Sequence, residues 1–157
     1  MAWQTHVLVL ASQTADSDEL AACLRERAER GACKFTLIVP RIAAEAPARL
    51  ERALERLGEA GLRVDGALAD PDPMLALTEA WDPREYDEIV VCTLPTGASR
   101  WLHVDLPHRI ERHTGVPVFH VTAAEPRPEP SVVHVDPREK PGVLSPLGPL
   151  AWGRARR

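Results

Sequence analysis

Long apolar runs are missing from this chain. No stretch of its 157 residues approaches the roughly 18–20 consecutive apolar residues that a membrane-spanning helix needs, so membrane insertion is not expected. Residues 1–10 carry no basic segment and lead straight into a strand-like run, so a secretory signal is not expected either. Cysteine is scarce: Cys23, Cys33 and Cys92 form no CxxC and cannot all pair, which points to a reducing, cytoplasmic compartment. A basic surplus is also absent. Lysine and arginine total 19 against 23 acids, a formal net charge of −4, and a chain without a basic surplus is not a general nucleic-acid binder. Lysine contributes only two of the basic residues, Lys34 and Lys140, which reads as genome composition rather than a chemical demand.

What is present fits an ordinary globular domain. Hydrophobic residues make up 45% and charged residues 27% of the chain. The length suits one domain able to bury its own core. Proline divides the chain unevenly, with seven of the 15 falling after residue 121. Residues 1–121 carry 13 basic and 19 acidic side chains, whereas 122–157 carry 6 and 4. The expected organisation is therefore an acidic α/β domain, 1–121, followed by a proline-rich C-terminal extension, 122–157. Proline leaves that extension little room for helix, although 131–135 has the pattern of a short added strand.

Within 1–121, short apolar runs alternate with amphipathic stretches. Residues 7–10 are a continuous apolar run, as expected of a strand buried on both faces, and 35–39 reads as a second buried strand. Asp16 and Glu19 have capping-box spacing ahead of a helix whose stripe is Leu20, Leu24 and Ala28, closed by Gly31. Pro47 suits the first turn of a second helix with the stripe Leu50, Leu54 and Leu57, stopped near Gly61. Residues 62–69 alternate, which predicts an edge strand with one wet face. Asp70-Pro71-Asp72-Pro73 leads into a helix over 74–81. Residues 89–92 form a fourth strand, 105–114 a fourth helix, and 116–121 a fifth strand in which Pro117 again suggests an edge.

This β-α-β-α-β-α-β-α-β order predicts an α/β fold: a single open five-stranded parallel sheet, strand order 3-2-1-4-5, with helices on both faces. Such sheets bind ligands beyond the carboxyl ends of the strands, where the winding reverses. Here that point lies between the first and fourth strands. The loops over 11–15 and 93–104 adjoin it, and the second is long for such a connection.

The element order, Asp70-Pro71, the run Tyr86-Asp87-Glu88-Ile89-Val90-Val91, and the close Leu106-Pro107-His108-Arg109-Ile110-Glu111-Arg112-His113-Thr114-Gly115-Val116-Pro117-Val118 together resemble the universal stress protein (UspA-like) family. The resemblance covers roughly residues 5–121. It implies a non-catalytic role in stress response or regulation and a homodimer formed through the fifth strand, 116–121. ATP-binding members carry G-x2-G-x9-G-[ST] from the end of strand four into the following helix. Glycines there let backbone N–H groups approach phosphates at a helix N-terminus. This chain has Cys92, Pro95, Val104 and Asp105 at those places, with a spacer one residue short. Pro95 has no N–H, and Asp105 puts a carboxylate where phosphate would sit and is a good helix cap. The family's aspartate after strand one is replaced by Ala11 and Ser12. ATP is therefore disfavoured as a cofactor, and no other cofactor is indicated.

The loop still offers Thr93, Thr96, Gly97, Ser99, Arg100 and His103 as ligand-binding candidates, with Asp105 behind them. Arg100 and His103 could attract an anion and Trp101 could stack on a ring. Alternatively, Trp101 and Leu102 pack the loop onto the sheet. Ser12 lies across the crevice, and Val39 enters because the end of strand two borders the adenine site in ATP-binding relatives. His103, His108 and His113 are five apart, which on a helix turns the side chains about 140° from one another, so they read as structural rather than metal-binding. Cys92 reads as a buried small hydrophobe more readily than as a reactive thiol. Asp70, Asp72, Asp82, Asp87 and Glu88 read as caps and solvated acids, and Ser12, Thr14 and Ser17 have no nucleophile-elbow context. Arg154, Arg156 and Arg157 read as a solvated terminus.

These readings favour a non-enzymatic regulatory or binding protein that takes a small ligand or a partner at the crevice. The alternatives are a nucleotide-binding stress protein with a divergent phosphate loop, and a small enzyme of the nucleotide-binding α/β group.

Overall fold

The continuous apolar runs form the middle of a sheet. In the computed structural model, which describes residues 3–95 and 99–124, the strands are β1 (Thr5–Ala11), β2 (Cys33–Pro40), β3 (Val64–Ala69), β4 (Glu88–Thr93) and β5 (Val118–Thr122). All pairings are parallel, in the order β3-β2-β1-β4-β5. The central strand β1 is fully buried from Val7 to Ala11. The two strands whose patterns predicted an edge are the two edges.

Strand alternation divides the core into two layers. Val7, Val9, Phe35, Leu37, Val90 and Cys92 face one side, beneath α1 (Asp18–Arg30) and α2 (Ala46–Glu59). Leu8, Leu10, Ile38, Ile89 and Val91 face the other, beneath α3 (Pro73–Ala80) and α5 (Leu106–Thr114). Helices therefore cover both faces, and the chain changes face between β3 and β4. Gly66 sits where α2 crosses β3: a Cβ there would lie 2.8 Å from Leu50 Cδ1 and 2.9 Å from Leu54 Cδ1.

Several local expectations are corrected. The N-cap of α1 is Ser17, not Asp16: Ser17 Oγ accepts from Leu20 N at 3.2 Å. Asp16 instead pairs with Arg52 at 3.2 Å, and Glu19 Oε1 accepts from Ala124 N at 3.3 Å. Gly31 ends α1 in extended backbone (φ 173°), so no left-handed glycine is needed there. Gly61 (φ 82°) and Gly115 (φ 75°) are the left-handed turns after α2 and α5. Pro117 lies just before β5 rather than within it. The loop after β4 contains an additional one-turn helix, α4 (Arg100–His103). The added strand expected over 131–135 lies outside the described residues.

No described helix is long and apolar enough to cross a membrane. The three cysteines carry free thiols.

Candidate functional site

Parallel strands deliver their carboxyl ends to one edge of the sheet, and the reversal of winding leaves a gap between β1 and β4 there. A cavity of about 290 Å³ occupies this gap. Its described walls come from four segments: Ser12, Gln13 and Thr14 after β1; Ile42 after β2; Cys92, Thr93 and Leu94 at the end of β4; and Ser99, Arg100 and Trp101 at α4.

Local chemistry fixes the two polar rims. Thr14, almost completely buried, donates from Oγ1 to the Cys92 carbonyl oxygen at 3.0 Å, joining the loop after β1 to the end of β4. Thr93, also buried, donates from Oγ1 to the Leu94 carbonyl oxygen at 2.9 Å and lies 2.7 Å from His120 Nε2 on β5. Partial desolvation holds the His120 imidazole below its ordinary range, favouring the neutral ring. Cys92 Sγ points under α1, 4.0 Å from Ser17 Oγ. Burial pushes this thiol up, so it is protonated at neutral pH and a poor nucleophile. Burial likewise raises Cys23 and Cys33.

α4 supplies the third wall. Trp101 is partly buried and packs against the core layer under α5, while its surface also lines the cavity. Packing the loop and lining a pocket are thus compatible roles. Arg100 is exposed and is the cationic side chain among the described lining residues.

The structure places the expected site residues as follows. Ser12, Thr93, Ser99 and Arg100 lie together on the cavity wall. Thr96 and Gly97, and the side chain of His103, lie outside the description. Val39 does not reach the crevice, because alternation along β2 turns it into the core beneath α1 and α2. Asp105 is not part of the wall. It has left-handed backbone (φ 52°) and makes no side-chain cap; its carboxylate lies 2.8 Å from His108 Nδ1. The intervening turn of α4 accounts for this, since α5 starts beyond the cavity. Gln13, Thr14 and Leu94 fall in the two loops expected to border the crevice without having been singled out as contacts, and Ile42 lies outside both loops. Position just after a strand end was the available signal for all four. No group of three or more His, Cys, Asp or Glu able to hold a metal ion occurs among the described residues.

Neither a protein-family model nor a curated protein matches the sequence. Solved structures do match. A universal stress protein in complex with cAMP is 20% identical, with 78% of this chain and 99% of that chain covered and a TM-score of 0.58. The universal stress protein from Archaeoglobus fulgidus is 16% identical, covering 77% of this chain and 95% of its own, with a TM-score of 0.54. Together with the strand order and the two-layer core, these likenesses show that the chain has the universal stress protein fold.

Proposed function

We propose that the chain is a non-enzymatic, universal-stress-protein-like regulatory or binding protein whose ligand enters the crevice between β1 and β4. The observation that carries this reading is the cavity at the switch point, walled by hydroxyls, one carboxamide, one guanidinium and an indole. The described wall offers no carboxylate or imidazole to act as a base, which favours binding over turnover. Pro95, the residue after the lining residue Leu94, has no N–H to offer a phosphate, which argues against ATP held in the usual way.

A second reading, a nucleotide-binding protein with a divergent phosphate loop, is favoured by the fold neighbour that holds cAMP. Self-association through β5 fits an edge strand on which Phe119 is 51% exposed. We also keep the division into an α/β domain and a proline-rich extension. Anchoring at the end of β5 reaches Ala123, fully buried, and Ala124, bonded to Glu19.

Thermal-shift measurements with ATP, ADP, AMP and cyclic nucleotides, run beside an ATP-turnover assay, test the proposal. Stabilisation by a small ligand without turnover supports it. ATP turnover abolished by Arg100→Ala would establish an enzyme instead.

A further inference from the structure

Two of the hydroxyls facing the crevice have no proton to give a ligand. Thr14 uses its one proton on the Cys92 carbonyl oxygen. Thr93 has two neighbours and one proton, which stays inside the protein for either tautomer of His120. If His120 Nε2 carries hydrogen, it donates to Thr93 Oγ1 and Thr93 donates to Leu94 O; otherwise Thr93 donates to His120 or to Leu94 O. A ligand therefore meets both hydroxyls as acceptors, which repel anionic oxygen. Positive charge at the described wall comes from Arg100 alone. The remaining described wall carries no charge: Ser12, Gln13 and Ser99 are neutral polar groups, and Ile42, Leu94 and the Trp101 ring provide apolar contact surface. A volume of about 290 Å³ lies just below the range of ligand pockets, about 300–1,000 Å³.

These features match one negative charge and mismatch several. A guanidinium can hold one carboxylate or one phosphodiester by paired charge-assisted hydrogen bonds. The further charges of a polyphosphate would meet only neutral groups, with no second cation on the described wall to offset their desolvation. Resting on the crevice as the binding site, we infer that the ligand class is a compact planar ring bearing a single negative charge, bound with the ring against Trp101 and the anion on Arg100. Nucleoside polyphosphates are disfavoured by the same wall.

The test is NMR titration of the full chain, following the Trp101 indole N–H and the Ser12 and Thr93 amides, with four probes: cAMP, indole-3-acetate, adenosine and magnesium-ATP. The expected result is saturable shifts with at least one of the two monoanions, about tenfold tighter than adenosine or magnesium-ATP. Arg100→Ala should weaken that monoanion about tenfold and leave adenosine nearly unchanged, while Arg100→Lys retains part of the affinity. Magnesium-ATP binding as tightly as the better monoanion overturns the inference and leaves the crevice as the binding site. Adenosine binding equally well overturns the charge requirement. Absence of shifts with all four probes at millimolar concentration overturns both the inference and the crevice reading.

Discussion

Thr14 and Cys92, 78 residues apart, are joined by a buried hydrogen bond of 3.0 Å from the threonine hydroxyl to the cysteine carbonyl oxygen. The bond ties the loop after β1 to the end of β4, the two sides of the crevice. Thr14→Val keeps the shape and removes the donor. It should destabilise the fold by about 1–3 kcal/mol, the cost of losing a buried partner, with Thr14→Ser less affected. Urea denaturation of the three proteins checks this; equal stability of Thr14→Val and wild type would show that the bond contributes nothing.

Asp72 caps α3 through two bonds, accepting from Met74 N at 2.9 Å and Leu75 N at 3.1 Å with one carboxylate oxygen. Asp72→Ala should cost about 1 kcal/mol, and Asp72→Asn much less, because asparagine is an equally good cap. Chemical denaturation reads the difference between the two variants directly.

The central strands and the topology were legible because burial on both faces leaves continuous apolar runs, as at Val7, Leu8, Val9 and Leu10. The edges were legible for the opposite reason, since residues 64–69 have a wet face. The caps were less so. Asp16 and Ser17 are both good N-cap residues, and the choice falls to Ser17 because Arg52 on α2 claims Asp16, a tertiary contact no local pattern records. α4 is a single turn, too short to show a period, so its displacement of Asp105 from the cavity was not readable. Four of the ten described wall residues, Ser12, Thr93, Ser99 and Arg100, were legible through their polar side chains. Ile42 was not, because an apolar residue after a strand normally reads as packing; here it is 50% exposed and lines the crevice.

His120 gives the fold a pH dependence of defined sign. Partial desolvation holds its pKa below the ordinary 6.5, so the native state binds fewer protons than the unfolded state and stability rises with pH. The contribution is present above about pH 6.5 and is lost as pH falls from there through the depressed native value. His120→Gln should flatten the change in urea midpoint between about pH 7.5 and about pH 5 relative to wild type. Parallel curves for the two proteins would remove His120 from the account.

Phe119 is the large apolar side chain exposed on the edge strand β5. If β5 is the surface through which two copies associate, Phe119→Asp should convert a dimer to a monomer with little change in secondary structure. Sedimentation velocity and circular dichroism check the two halves of this expectation. A wild-type chain that stays monomeric at high micromolar concentration contradicts it.

The central proposal is that the crevice between β1 and β4 binds a small ligand and favours one negative charge over a polyphosphate. Isothermal titration of the full chain with cAMP, indole-3-acetate and magnesium-ATP, repeated in Arg100→Ala, tests it most directly. The account predicts saturable binding of at least one monoanion that weakens about tenfold in the variant, with magnesium-ATP correspondingly weaker in wild type. Micromolar magnesium-ATP binding, as tight as that of either monoanion, would contradict it.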